Sequence, residues 1–408
     1  MKVFLGMITS GFDCSCSVVR FLENAEKYGH EISGVVATYS RGADESYVAA
    51  VSEKAPLHLI DLNKSAYLAG MFKKLGLSRR AQAALLDLPD SFGSGLVPYG
   101  FNRNQVVAEA MLRGADALIF IDSDVFPFAL AEENGEVVQK ETDFFGSHLK
   151  FLKASAQITT SEYSGSNILP PARFDGMDDL LVGLKKENMI PYWRESQKHR
   201  CVALMREDAR PCPCDKVLGG NAGFLLEVFS VLPPFYSPCY TAPDGFYLAR
   251  GEDTVLSASM KAAGVNCVDI QTPIFHDTYK NWPHIPDLRT EASAKERFYT
   301  ACAGWTGRNP FLISCLGEDV DAVTDRMRRH LLIGSRAAAQ YTGDRRFLTL
   351  PDKLEICADN LDYCLYEFKI LTEAWDEFIT KSGRATEFTP ARVECPAPGR
   401  EAEKRRQP

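Results

Sequence analysis

The chain lacks long apolar runs and an excess of basic residues, and each absence excludes a class of protein. No apolar stretch approaches the roughly 18–20 residues that span a bilayer, and the apolar N-terminus is too short for a signal peptide, so we interpret it as a first strand. The net charge of −8 argues against a nucleic-acid-binding surface, which is normally basic. We therefore expect a soluble, cytoplasmic protein without a transmembrane segment or a nucleic-acid partner, with peripheral attachment to a membrane left open.

Zinc-type cysteine spacing is also missing. The chain has 12 cysteines, and two pairs, Cys14/Cys16 and Cys212/Cys214, have C-x-C spacing. A structural zinc site usually needs C-x2-C spacing and a second pair at a suitable interval. We favour ordinary reduced thiols, with a zinc site formed by the two pairs as the alternative.

The remaining composition is that of a globular protein. With 408 residues, 45% hydrophobic and 25% charged, the chain can form one large domain with an accessory part. Apolar runs at 2–8, 31–39 and 57–62 alternate with helical patterns, which predicts a mostly parallel α/β sheet.

Three regions are expected along the chain. We predict an α/β domain over 1–285, with a polar surface loop at 132–140, and a helical C-terminal subdomain over 286–385. Residues 386–408 are rich in proline and charge, which predicts disorder. The C-terminal helices could pack on the core or form a homo-oligomer.

The most informative segment is the apolar run at 117–121, which leads into Asp122 and Asp124. A short apolar run bounded by polar residues predicts a buried strand, so the two acids follow the point where the strand leaves the core. Two carboxylates so close together repel each other unless a positive charge neutralises them. A hard divalent cation sharing phosphate oxygens as ligands would do so.

Four other segments accompany this pair in a fixed order. Arg103-Asn104 opens the preceding helix, and Gly219-Gly220-Asn221, Glu252-Asp253 and His276 follow. With the paired aspartates, this order resembles the GT-A glycosyltransferases, in particular family-2-like enzymes, over about residues 1–280. The resemblance implies a GT-A fold, a Rossmann-like and mostly parallel sheet flanked by helices, here with a C-terminal helical subdomain. It also implies transfer of a sugar, a hexose by expectation, from a nucleoside diphosphate to a hydroxyl acceptor.

The resemblance implies a role for each candidate residue. A Mn²⁺ or Mg²⁺ ion would be held by Asp122, Asp124 and His276, with His284 as a weaker alternative. In an inverting enzyme Asp253 would be the base and Glu252 would orient the acceptor; a retaining enzyme needs no such base, and the choice stays open. The expected donor contacts are Thr9, Ser10, Tyr39, Arg41, Arg103, Asn104, Asp122 and Ser123. The expected acceptor or sugar contacts are Gly220, Asn221, Tyr163, Asn167 and Trp193. Because the run 38–44 lacks an acidic uracil-binding turn, UDP and GDP donors are both open.

Two other functions are kept as alternatives. Asp122-Ser123-Asp124-Val125 also fits the start of haloacid-dehalogenase-like phosphatases, where Asp122 would be the nucleophile, although the later lysine and acidic segment of that class are missing. A catalytically inactive GT-A-like binding module would bind neither metal nor nucleotide sugar. Sugar nucleotidyltransferases are disfavoured because residues 9–13 lack their glycine-rich basic loop.

Overall fold

The structure is a computed structural model, and it describes most of the chain. The described residues are 1–384 except 65, 88–91, 93–95, 97, 155, 167–171, 173, 197–201, 207–208 and 243–244. The predicted acceptor contact Asn167 and the predicted disordered tail at 386–408 lie outside the described residues, as does the side chain of Trp193.

A central eight-stranded sheet is built mainly from the first half of the chain. Its strands stand in the order β11-β15-β8-β12-β4-β1-β2-β3. The bounds of these strands are β1 Val3–Ile8, β2 Gly34–Tyr39, β3 Leu57–Asp61, β4 Ala117–Asp122, β8 Ile158–Thr160, β11 Cys212–Pro213, β12 Asn221–Leu225 and β15 Cys267–Asp269.

The register of the sheet brings the ends of β1, β2 and β4 to one edge. The strands β3, β2, β1 and β4 are parallel to one another, and β15 is parallel to β8. In contrast, β12 runs antiparallel to both β4 and β8, and β11 runs antiparallel to β15. Ile8 at the end of β1 is aligned with Thr38 and with Asp122. The predicted mostly parallel sheet is confirmed, and the carboxyl edge of its parallel strands is where open α/β sheets bind ligands.

A smaller sheet lies beside this edge. Its strands stand in the order β10-β9-β16-β5, with β5 Val125–Phe126, β9 Tyr163–Ser166, β10 Val202–Ala203 and β16 Ile274–Asp277. Two hairpin sheets complete the strands of the described chain: β6 Phe128–Glu133 with β7 Glu136–Glu141, and β13 Cys239–Ala242 with β14 Gly245–Leu248.

The hairpin of β6 and β7 corrects one expectation. The segment 132–140 was predicted to be a surface loop because it is polar, but its residues pair in register from Phe128 with Glu141 to Glu133 with Glu136. Asn134 and Gly135 form the turn with φ of 53° and 81°. An Asn-Gly pair is the preferred sequence of such a two-residue turn. This signal outweighs polarity because β7 is solvent-exposed along almost its whole length, so its polar residues are compatible with a strand.

Helices cover both faces of the central sheet. Their bounds are α1 Val18–Lys27, α2 Glu45–Ser52, α3 Ala66–Lys74, α4 Arg79–Leu86, α5 Tyr99–Leu112, α6 Phe144–Leu152, α7 Met177–Gly183, α8 Met189–Ser196, α9 Glu252–Ala262, α10 Ala292–Cys315, α11 Val320–Thr342, α12 Leu350–Asp359 and α13 Leu361–Lys381. Short 3₁₀ helices occur at Leu226–Ser230 and Arg345–Thr349. None of the helices in the described part of the chain is both long and apolar enough to cross a membrane.

The apolar side chains explain this layering. One core, with side chains from α1, α2 and α6, covers one face of the sheet. A second core, with side chains from α3, α4, α5 and α9, covers the other face and includes Trp375 and Phe378 of α13. The C-terminal helices α10, α11 and α12 form a third core with α7. The last helix therefore shares a core with the sheet, and the domain boundary at 285/286 stays a prediction.

Candidate active site

The ends of β1 and β2 bring the predicted nucleotide-binding residues to the same edge as Asp122. The Thr9 amide donates to the Thr38 carbonyl over 3.1 Å, and the Arg41 amide donates to the Ser10 carbonyl over 2.7 Å. These bonds extend the β1–β2 pairing beyond the strands. Tyr39 and Ser123 are half-buried and Arg41 is exposed. The structure thus brings this group of predicted donor contacts together, while their role in binding stays a prediction.

Asp124 and His276 lie side by side because β5 pairs with β16. Val125 is aligned with His276, and the Asp277 amide donates to the Asp124 carbonyl over 3.1 Å. Nε2 of His276 lies 3.3 Å from Oδ1 of Asp124. The small sheet therefore places two of the three predicted metal ligands next to each other, although 151 intervening residues separate them in the sequence.

Arg297 of α10 also reaches Asp124. Its Nη2 lies 3.1 Å from Oδ2 of Asp124, whose side chain is 15% exposed. Burial on its own would raise the pKa of Asp124, but the hydrogen bond to His276 and the charges of His276 and Arg297 hold this pKa well below its ordinary value. Asp124 is therefore an anion at neutral pH.

The buried guanidinium of Arg103 joins three distant parts of the site. Arg103 is 3% exposed. It donates to Oε1 of Glu252 over 2.7 Å, to the Gly219 carbonyl over 2.9 Å and to Oδ1 of Asp122 over 3.2 Å. Burial on its own would lower the pKa of Arg103, but Glu252 and Asp122 hold this pKa above its ordinary value. The N–H groups that make these bonds are directed into the protein, so Arg103 aligns the acidic groups. The predicted contact of Arg103 with the sugar-nucleotide donor would have to use its remaining N–H groups.

The two glycines are needed for this close packing. A Cβ atom on Gly219 would lie 2.4 Å from Nη2 of Arg103, and one on Gly220 would lie 2.3 Å from Oδ2 of Asp122. Both distances are shorter than any ordinary contact between such atoms. The glycine pair therefore allows the loop to lie directly against Arg103 and Asp122, while the expected contact of Gly220 with a sugar or an acceptor stays a prediction.

The predicted acidic pair begins α9 beside this loop. Oδ2 of Asp253 accepts from the Gly219 amide over 3.1 Å, and its Oδ1 accepts from the Thr254 amide over 2.7 Å. Glu252 is buried, and burial raises its pKa although Arg103 acts in the opposite direction. Asp253 is more accessible than Glu252 and has hydrogen bonds that hold its carboxylate in place.

Tyr163 is also part of the site. Its hydroxyl accepts from the Gly220 amide over 2.9 Å, and its ring centroid lies 5.0 Å from that of His276. Burial and the neighbouring charges of Asp122 and Asp253 raise its pKa well above the ordinary value. Tyr163 therefore fixes the glycine loop, whereas its predicted contact with an acceptor stays a prediction.

Two predicted ligand contacts lie beneath the site instead of facing it. Asn221 is 0% exposed, and its amide is bonded to Nε2 of His148 over 3.0 Å and to the Glu162 carbonyl over 3.2 Å. Asn104 is also buried, and its amide both donates to and accepts from the backbone of Phe235. Both amides are thus directed into the protein, because each satisfies backbone or ring groups that would otherwise be buried without partners. Their positions do not support direct contact with a sugar or a donor.

A divalent cation fits the pair of Asp124 and His276 but needs further ligands. Two ligand atoms bound at a right angle with bonds of about 2.1 Å stand about 3 Å apart, close to the observed 3.3 Å. Within the described residues, no three or more His, Cys, Asp and Glu side chains form a group that could hold a metal ion, so the predicted set of Asp122, Asp124 and His276 does not form one. The arrangement therefore suits a cation whose remaining ligands come from a bound molecule. His284 is engaged elsewhere, with its Nε2 at 2.8 Å from Glu291.

Sequence reasoning missed Arg297. It lies 173 positions after Asp124 in a helix assigned to the C-terminal subdomain, and one basic residue on a charged helix gives no local signal. Only the packing of α10 against the site identifies it.

The comparison with solved structures found a weak likeness. A scan against models of protein families and a search of curated protein sequences gave no match. A solved mycobacterial protein has 13% identity and a TM-score of 0.37, with 78% of this chain and 76% of that chain covered. Glucosyl-3-phosphoglycerate synthase from Mycobacterium tuberculosis with Mn²⁺, UDP-glucose and phosphoglyceric acid has 13% identity and a TM-score of 0.35, with coverage of 78% and 80%. At these values the likeness assigns no activity to this chain.

Proposed function

We propose that the protein is a metal-dependent glycosyltransferase of GT-A type that moves a sugar from a nucleoside-diphosphate donor, UDP- or GDP-linked, to a hydroxyl acceptor. One observation carries the proposal: Asp122 and Asp124 leave the carboxyl edge of the sheet, and Arg103 and the glycine loop join this edge to Glu252 and Asp253. This arrangement supports a site in which Asp122 and Asp124 face the donor and Asp253 faces the acceptor.

The donor would lie along the edge formed by β1, β2 and β4. The nucleoside would contact the segments 9–10 and 39–41, and the diphosphate would lie beside Asp124 and His276. A bound Mn²⁺ or Mg²⁺ ion, held by Asp124 and His276 with Asp122 nearby, would offset the negative charge that develops on the diphosphate. The 3.3 Å spacing of Asp124 and His276 supports this part of the proposal.

Asp253 would act on the acceptor in an inverting reaction. The acceptor hydroxyl attacks the anomeric carbon, its proton passes to the Asp253 carboxylate, and the bond from that carbon to the diphosphate breaks with its electron pair going to the diphosphate. Bonds from the amides of Gly219 and Thr254 hold the Asp253 carboxylate in place. Glu252, buried against Arg103, would keep the first turn of α9 fixed relative to the sheet.

A thermal-shift experiment tests the proposal. The protein is heated with UDP-glucose or GDP-mannose, with and without Mn²⁺, and we expect a rise in Tm that needs both metal and nucleotide sugar. At a ligand concentration of 100 times Kd, the stabilisation is about 2.7 kcal/mol. Asp124→Asn should remove the metal-dependent part of the shift.

The matched control is Asp116→Asn at the opposite end of β4, where the Asp116 carboxylate accepts from the Lys2 amide over 2.6 Å. This variant should keep the shift of the wild type. Stabilisation by neither ligand would favour a binding module, and an unchanged shift in Asp124→Asn would contradict the metal site. A covalent phosphate trapped on Asp122 would instead favour the phosphatase.

A further inference from the structure

A second basic group lies behind the first turn of α9, apart from the cations that neutralise the paired aspartates. Arg308 of α10 is 1% exposed. Its Nη2 donates to Oδ1 of Asn309 over 2.8 Å and its Nη1 reaches Oγ1 of Thr254 at 3.5 Å, while its Nε has no partner. A buried guanidinium with only these neutral partners is costly, because a buried charge normally requires a counter-charge.

Arg308 points at the N-terminus of α9. A Cβ atom on Gly251, the residue that precedes the helix, would lie 2.9 Å from Nη1 of Arg308. The backbone amides of a first helical turn carry partial positive charge and favour an anion, although in α9 the Thr254 amide already donates to Asp253. A cation is unfavourable at this end of a helix unless an anion lies between the two.

Lys186 adds a further positive charge to the same corner. Its Nζ lies 4.8 Å from the ring centroid of Trp305, which shares a face of α10 with Arg308 because the two are three residues apart. The Leu184 carbonyl accepts from Nδ2 of Asn309 over 2.9 Å, which ties the segment of Lys186 to α10. Within the described residues Lys186 makes no ion pair.

One carboxylate faces these two cations. Asp253 is the acid whose charge acts on both Lys186 and Arg308, and it is already bonded to the Gly219 amide. Burial and the charge of Arg308 lower the pKa of Lys186 to about 8, and burial lowers that of Arg308 to about 10. Glu252, the other acid of this turn, is bonded to Arg103. Two cations and a helix N-terminus thus face one acid.

We infer that Lys186, Arg308 and the first turn of α9 form a binding site for an anionic group, a carboxylate or a phosphate, of the acceptor molecule. Lys186 contacts the anion from the accessible side, and Arg308 supplies positive charge from behind. That the anion belongs to the acceptor rests on the proposed function, since Asp253 would be the base; that the corner binds an anion does not. The acceptor class is then a hydroxyl compound with a negative charge close to the reacting oxygen.

Calorimetric titration tests the site without any transfer reaction. Inorganic phosphate and acetate are titrated separately into the whole protein, so that the two arms distinguish a phosphate site from a carboxylate site. Lys186→Gln should weaken binding of the preferred anion about tenfold, which corresponds to the loss of one charge-assisted contact. Lys186→Arg should restore most of the affinity.

Lys185→Gln is the matched control, because the neighbouring Lys185 has the same charge but pairs with Glu318 at 2.9 Å. It should bind both anions as the wild type does. Arg308→Gln should weaken binding further, and if this variant does not fold, Lys186→Gln still decides. Two outcomes would overturn the site. One is equal anion affinity in Lys186→Gln and the wild type, as expected if phosphate binds at the donor edge instead. The other is that neither anion binds.

A transfer assay then separates the two proposals. With donor and Mn²⁺, glycerate should be a better acceptor than glycerol, and Lys186→Gln should remove this preference. Anion binding that depends on Lys186 without any transfer would retain the anion site and count against the proposed function. Transfer without preference for a charged acceptor would retain the function and overturn the acceptor assignment.

Discussion

The buried Arg103 offers the sharpest test of how the site is held together. Substituting Arg103→Met keeps an apolar stem of similar length over the rings of Phe120 and Phe235, which lie 5.0 Å and 5.9 Å from the guanidinium carbon. The variant loses the bonds to Glu252, Gly219 and Asp122. Its main consequence is that Glu252 stays buried without a counter-charge.

The magnitude follows from the burial of each partner. The side chains of Arg103 and Glu252 are 4% and 7% exposed, and removing one partner of such a pair costs about 3–5 kcal/mol. Because the Asp122 side chain is 32% exposed, solvent screens its charge, and losing the Arg103–Asp122 pair adds little to the cost. We therefore expect Arg103→Met to lower the free energy of unfolding by about 4 kcal/mol at pH 7.5, measured by urea denaturation.

The pH dependence identifies Glu252 as the cause. Burial already raises the pKa of Glu252, and loss of Arg103 raises it further. In the unfolded chain the pKa of Glu252 is about 4.3, and below this pH Glu252 is protonated in both the folded and the unfolded protein, so its burial carries no charge penalty. The loss of stability grows as the pH rises from this value toward the higher pKa of Glu252 in the folded protein. The Arg103→Met penalty should therefore shrink between pH 7.5 and pH 5, by at most about 1.4 kcal/mol per pH unit for one proton.

Two variants serve as controls. With Glu252→Gln already present, Arg103→Met should cost about 1–2 kcal/mol with little pH dependence, giving a coupling energy of about 2–3 kcal/mol. Arg80→Met removes an exposed pair with Glu373, which should cost less than about 1 kcal/mol. Additive effects of Arg103→Met and Glu252→Gln at both pH values would refute the reasoning.

Three further outcomes follow from the same contacts. Gly220→Ala should cost about 1–3 kcal/mol and reduce transfer activity, because the new Cβ would lie 2.3 Å from Oδ2 of Asp122; Gly70→Ala, with no atom within 4 Å, is the control in urea denaturation. Tyr163→Phe should cost about 1–3 kcal/mol in the same assay, because the buried Gly220 amide loses its acceptor. Asp253→Asn should lower kcat by about 10²–10⁴-fold with donor affinity kept, and an unchanged kcat would exclude a base role for Asp253.

The sequence predicted the strands β1, β2, β3 and β4 of the central sheet because their signals are local, whereas β11 and β12 were not predicted. An apolar run before Asp122 predicts a buried strand, and the alternation of strands with helices predicts parallel pairing. The meeting of Asp124 with His276 was expected from the resemblance, and the structure brings the two together through pairing of β5 with β16. The Asn134-Gly135 turn can be predicted by the same local rules. The hairpin was missed because the polarity of the segment was given more weight than this turn signal.

The remaining parts of the site depend on packing between distant segments. No pattern near Arg297 or Arg308 indicates that α10 lies against the acids, and the side-chain partners of Asn104 and Asn221 are backbone and ring groups chosen by the fold. A polar residue next to a motif can either bind the ligand or form hydrogen bonds that stabilise the fold around the site. Only its hydrogen-bond partners separate these two possibilities, and the sequence does not contain them.

The two aspartates of the strand end are balanced by different cations, and this difference bears on how a metal would bind. Asp122 faces Arg103, which is buried and shared with Glu252, whereas Asp124 faces Arg297, whose side chain is 33% exposed. A cation at Asp124 therefore has to compete with a guanidinium that can move toward solvent, and it gains only two protein ligands in return. Its affinity should be low until a diphosphate supplies further oxygens. For this reason metal alone should stabilise the protein little, and metal with nucleotide much more than the sum of the two.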